Sequence, residues 1–137
     1  MTREAKIMSG VILLTVPTIQ YGGYFLLTSL RNPNSHYMDN PLRQNFFRAG
    51  HAHAGVFVIF ALLCQILADS ANLSTPWMWV ARIGVPAAAI FIPAGFFFSM
   101  TSPTATEPNG FVSMIYVGAI FLASSVLTLG IGLLRSL

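Results

Sequence analysis

The chain has 137 residues, of which 55% are hydrophobic and only 8% charged, with a formal charge of +3. A soluble domain carries about 25% charged residues, so this sequence has too few to cover a water-facing surface. The small positive balance, with no basic stripe, excludes a nucleic-acid-binding face.

The apolar residues come in four runs of membrane-spanning length, and a helix needs about 20 such residues to cross the hydrocarbon core. The expected architecture is all-α: one four-helix transmembrane bundle over residues 1–137, with no room for a separate soluble domain. Strands are disfavoured because a membrane barrel needs at least about eight, alternating in polarity.

The first helix is expected at 7–30. It exceeds a signal-peptide core, which spans about 7–15 residues, and no small-residue cleavage site follows it. Arg3 and Lys6 precede it. Arg82 apart, the basic residues divide evenly, with Arg3, Lys6 and Arg135 on the side of the termini and Arg31, Arg43 and Arg48 opposite. The residues flanking the first helix therefore decide orientation and place the termini inside a bacterial cytoplasmic membrane. The first loop, Arg31 to Arg48, is polar and rich in turn formers, including Asn32-Pro33-Asn34-Ser35 and Asp39-Asn40-Pro41. His36 and Asp39 within it could form a weak outer metal site, although a solvated histidine is the simpler expectation.

The second helix is expected at 49–68, the third at 77–100 and the fourth at 111–134. Ser74 or Thr75 could cap the third, with Pro76 in its first turn. Arg82 lies about a turn inside it, either snorkelling to the interface or meeting an anionic group. Tyr37, Trp77 and Trp79 read as interfacial anchors. The Phe96-Phe97-Phe98 run reads as lipid-facing and core packing. Pro17, Pro86 and Pro93 fall inside helices, where each frees a backbone carbonyl. Cys64 is alone and mid-helix, so no intrachain disulfide is expected. The recurrent small residues, Gly50 and Gly55 among them, either bring helices close together or leave a slot for a flat ligand.

The chemistry concentrates at Arg48-Ala49-Gly50-His51-Ala52-His53-Ala54-Gly55. Ionisable residues inside a membrane segment are expensive, and default to a functional reading. Residues i and i+2 of an α-helix are separated by about 200°, so His51 and His53 point to nearly opposite faces and cannot both bind one ion from one helix. Gly50 and Gly55, with Ala52 and Ala54, clear steric room beside both imidazoles, as a porphyrin lying edge-on would need. Neutral imidazole is a good haem-iron ligand, and Arg48 or Arg43 could pair with propionates at the membrane surface. Two other readings remain open. The histidines could bind copper or zinc at subunit interfaces, or could be packing glue in an accessory subunit of a larger membrane complex. A small-molecule site, such as a quinone pocket, is a further possibility.

The segment Gly50-His51-Ala52-His53-Ala54-Gly55-Val56-Phe57 resembles part of the catalytic subunit of the haem-copper oxidase and nitric oxide reductase superfamily. There a His-x-His helix sends one histidine to the high-spin haem and the other to the low-spin haem. That subunit is built as three arcs of four helices, with ligand histidines largely on the second helix of each arc. This chain looks like a single arc. The resemblance implies a homo-oligomer, with three copies favoured, in which haem b is held between subunits by His51 of one copy and His53 of another. It implies electron transfer or haem handling, with a redox protein as possible partner. The family's copper site needs three further histidines, which the third and fourth helices here do not supply, so the resemblance does not extend to oxygen reduction by this chain alone.

Overall fold

The structure, a computed structural model, describes all residues 1–137. It contains four long helices and no strand: α1 (Arg3–Arg31), α2 (Pro41–Ala68), α3 (Thr75–Ser99) and α4 (Ser113–Leu134). Short 3-10 turns at Pro33–Ser35 and Gly110–Val112 precede α2 and α4. All four helices are long and apolar enough to cross a membrane. The all-α, four-helix transmembrane architecture expected from the sequence is therefore the one observed.

The largest difference in boundary is at α2, which starts at Pro41 rather than Ala49. The reason is local. Asn40 caps the helix by accepting from Arg43 N at 3.0 Å, and Pro41 occupies the first turn, where its missing N–H costs nothing. Asn40 also donates to the carbonyls of Pro103 and Ala105 at 3.0 and 2.9 Å, tying the first loop to the third. Arg43, Phe46, Phe47 and Arg48 thus lie on α2 rather than in the loop before it. At the other helix starts, Thr2 caps α1 by accepting from Ala5 N at 3.2 Å. Ser74 occupies the cap position of α3, but its side chain makes no capping bond.

Two apolar clusters hold the bundle. The larger joins Ile12 of α1, Val58, Ala61, Cys64 and Ala68 of α2, Ala81 and Val85 of α3, and Leu129 of α4. The smaller lies toward the first and third loops and joins Leu26, Tyr37, Phe47 and Met100. Tyr37, expected as an interfacial anchor, is instead 1% exposed, its ring stacked on Phe47 at 6.0 Å between centroids. Trp77 and Trp79 are exposed, as membrane-interface anchors would be.

Most of the small residues serve close helix approach. A Cβ on Gly84 would lie 2.5 Å from the Phe121 carbonyl oxygen, and one on Gly118 would lie 2.5 Å from the Ile92 side chain, so α3 and α4 meet backbone to backbone. Ser125 crosses that seam, donating to the Ala81 carbonyl at 2.7 Å.

Pro86 removes the N–H that would bond the carbonyl of Arg82, four residues earlier. Gln65 replaces it, donating from Nε2 to Arg82 O at 2.8 Å. The Arg82 side chain returns to Gln65, with Nη1 3.1 Å from its carbonyl and 3.3 Å from Oε1. Its Nη2 pairs with Asp69 at 2.6 Å. Thr2 completes the cluster, its backbone N and Oγ1 donating to the two Asp69 oxygens at 2.8 and 2.7 Å. Arg82 therefore meets an anionic partner rather than snorkelling, and the cluster ties the start of α1 to the α2–α3 connection. Burial pushes the Asp69 carboxyl up, but hydrogen bonds from Arg82 and Thr2 outweigh it and hold the group well below the ordinary carboxylate range.

Candidate functional site

The start at Pro41 places His51 and His53 about three turns into α2, deeper along the helix than a start at Ala49 implies. The two rings leave α2 toward different neighbours. His51 faces the Gly22-Gly23 pair of α1: a Cβ on Gly22 would lie 3.4 Å from its Nδ1, and one on Gly23 would lie 3.4 Å from its Nε2. His53 faces α3, its ring stacked on Phe96 at 5.2 Å between centroids and tilted against Phe57 at 5.4 Å. Both are partly buried.

Their hydrogen bonding differs in a way that matters chemically. His53 Nδ1 lies 2.7 Å from the carbonyl oxygen of Ala49, one turn back on its own helix. A carbonyl can only accept, so the proton sits on Nδ1 and the lone pair on Nε2. The ring is held by that bond on one edge and by Phe96 across its face. His36 also has a partner, Asp39 at 2.9 Å, but the pair is exposed and stands apart from the other histidines. His51 makes no hydrogen bond to the rest of the chain.

The other expected site residues separate by environment. Arg48 is exposed on α2, three residues before His51; it makes a long bond to Gln44 at 3.4 Å, and its guanidinium also interacts with the Tyr37 hydroxyl. Arg43 is engaged: Nε donates to the Met100 carbonyl at 3.1 Å and the guanidinium lies 4.7 Å over the Phe47 ring. Gly50 is buried, and a Cβ there would lie 3.0 Å from Phe96 and Phe97, so it serves the α2–α3 approach. Gly55 faces open space, with nothing within 4 Å of a Cβ. Of the two roles that the sequence leaves open for small residues, Gly50 takes helix packing and Gly55 leaves room.

No three His, Cys, Asp or Glu side chains converge within the chain. A zinc site is normally closed by four ligands, or by three and a water, and one copy does not assemble such a set. What the chain does assemble is an apolar groove of about 480 Å³ between α1, α2 and α3, with His51 in its wall. Phe97, Phe98, Pro86 and Pro93 of α3 line it too. The phenylalanine run therefore divides its work: Phe96 stacks on His53, while Phe97 and Phe98 shape the groove.

Sequence reasoning missed two features. The Asp69–Arg82–Thr2–Gln65 cluster joins residues far apart in the chain. The placement of Pro86 four residues after Arg82 was its one local signal. The groove depends on how α1 lies across α2 and α3, which no local pattern records. Comparison with known proteins finds no matching family model, no matching characterised protein and no matching solved structure.

Proposed function

We propose that this chain is a haem b-binding integral membrane protein in which His53 and His51, contributed by different copies, would hold the iron, and that it serves electron transfer or haem handling. The observation that carries the reading is the state of His53. Its Nδ1–H is bonded to the Ala49 carbonyl, so Nε2 presents a lone pair from a ring that Phe96 holds in place. Iron-ligating histidines are oriented by a bond of this kind on the far nitrogen.

The chemistry of the donor set fits a porphyrin better than a bare ion. A porphyrin supplies four nitrogens of its own and asks the protein for one or two imidazoles, whereas copper or zinc would need ligands that the chain does not bring together. Since the two rings leave α2 toward α1 and toward α3, one copy cannot offer both to one iron. Ligation by two histidines then joins neighbouring copies, and a closed symmetric assembly satisfies every copy. Three copies match the single-arc resemblance. Arg48, exposed and held only by a long bond to Gln44 and by the Tyr37 hydroxyl, is the propionate partner of choice, because Arg43 is more firmly engaged with Met100 and Phe47. When bound, haem b supplies a one-electron iron couple. The protein's part is to hold its faces, pair its propionates and keep water away. The four spans place the protein in a bilayer, and the basic residues before α1 favour termini on the cytoplasmic side.

The packing of His51 against Gly22 and Gly23 favours a second reading, in which that ring is packing glue in an accessory subunit. Purification after expression with haem supplied separates the two. Wild type should carry bound haem by its Soret band. His53→Ala and His51→Ala should each lose it while keeping wild-type helicity by circular dichroism, and Arg48→Ala should retain haem more weakly. Helical protein without haem in wild type would refute ligation. Haem retained undiminished in both histidine variants would refute these ligands.

A further inference from the structure

The groove between α1, α2 and α3 has an end-to-end polarity. On α1 its lining runs from Met8 to Gly22, a span of about 21 Å at 1.5 Å per residue. Its volume of about 480 Å³ falls in the range of small-molecule sites, about 300–1,000 Å³. At the Gly22 end stands His51, with Phe97 and Phe98 beside it; toward Met8 the walls are aliphatic. Val11, Ile90 and Phe98 are exposed at its mouth, so it opens sideways into the hydrocarbon layer.

Two features define what fits. The lining holds no Lys, Arg, Asp or Glu, so the occupant's head is neutral. The groove's threonines are already bonded to backbone: Thr15 Oγ1 to Ile12 O at 2.6 Å and Thr18 Oγ1 to Thr15 O at 2.6 Å. His51 alone among the lining side chains keeps an N–H with no partner in the chain, and an unpaired donor at membrane depth is costly. A head that accepts a hydrogen bond would satisfy that donor, and a long apolar tail fits the rest of the lining.

We propose that this groove binds a prenylated quinone, with a ring carbonyl accepting from the His51 N–H, the ring beside Phe97 and Phe98, and the isoprenoid chain running toward Met8. A fatty acid would need a cation at the head, and none lines the groove. The proposal rests on the groove and not on haem: a histidine that ligates iron through Nε2 still carries a donor at Nδ1.

The test is calorimetric titration of the purified full-length protein with decylubiquinone, and with palmitate as the acyl-chain control. One decylubiquinone should bind per chain, and palmitate should bind far more weakly. His51→Leu should weaken decylubiquinone at least tenfold, while His51→Gln, which keeps a donor, should stay within about threefold of wild type. Val11→Trp, at an exposed position, should block the mouth without disturbing the fold. Absence of decylubiquinone binding, equal binding of palmitate, or full affinity in His51→Leu would each overturn the proposal. Because Val11 is not placed at the haem, the Soret band of Val11→Trp should be unchanged. A protein that binds decylubiquinone with no Soret band would sink the haem reading alone.

Discussion

At the scale of single residues, two groups of polar side chains matter most. One is the His51–His53 stretch; the other is the Arg82 cluster near the opposite end of the bundle. Arg82 is 3% exposed, and removing its partner would leave a buried cation uncompensated. Asp69→Asn should therefore destabilise the protein by about 3 kcal/mol, read as a lowered midpoint of thermal unfolding in detergent. The Asp69 carboxyl is held well below its ordinary value of about 3.9. Its contribution to stability is thus fully present above about pH 4 and lost as pH falls further. Wild type should lose stability on acidification below that point more steeply than Asp69→Asn. Parallel acid profiles would contradict the assignment. Of these two groups, the histidines were legible in the sequence, because ionisable groups flanked by alanine and glycine stand out in an apolar run. So was their divergence, which follows from helical geometry. The bond from His53 to Ala49 was not legible, because a side chain's choice between a backbone acceptor and a neighbouring helix depends on what packs beside it.

At the scale of elements, α3 shows how a kink-prone helix stays continuous. Pro86 leaves the Arg82 carbonyl without its helical donor, and Gln65 of α2 supplies one at 2.8 Å. Gln65→Leu should cost about 1–3 kcal/mol, since it leaves a buried carbonyl and part of a guanidinium unpaired. In a Pro86→Ala background the helix recovers its own N–H donor, so the same Gln65→Leu change should cost measurably less. A double-mutant cycle by thermal unfolding reads this coupling; strictly additive effects would show that Gln65 does not stand in for the missing N–H. The helices themselves were legible as apolar runs of spanning length. The early start of α2 was readable only from the Asn40-Pro41 cap signal, since the two turns before Ala49 are amphipathic rather than uniformly apolar. Tyr37 was misplaced for a related reason. An aromatic beside a membrane helix suits an interfacial belt, but here Phe47 and Met100 provide a buried niche that only the folded first loop creates.

At the scale of the whole molecule, the helix count and class followed from composition, while the arrangement of the helices did not. α3 and α4 interlock through Gly84, Gly95 and Gly118. α1, by contrast, is anchored by Thr2 at one end and by Leu26 at the other, and between them it bridges the groove that His51 lines. Small residues mark helix approach in any membrane protein, so their pattern alone could not say which pair interlocks and which leaves a gap. The arrangement leaves one imidazole with a prepared Nε2 and a second on a different flank of the same helix. The proposed assembly follows from that divergence, because the two can share an iron only across a boundary between copies. The most direct test is the absorption spectrum of the purified wild-type protein, oxidised and then reduced with dithionite. The account predicts a Soret band that shifts on reduction, together with the sharp visible bands of a low-spin, six-coordinate haem b. A featureless spectrum after expression with ample haem, or the spectrum of a five-coordinate high-spin haem, would contradict ligation by two histidines.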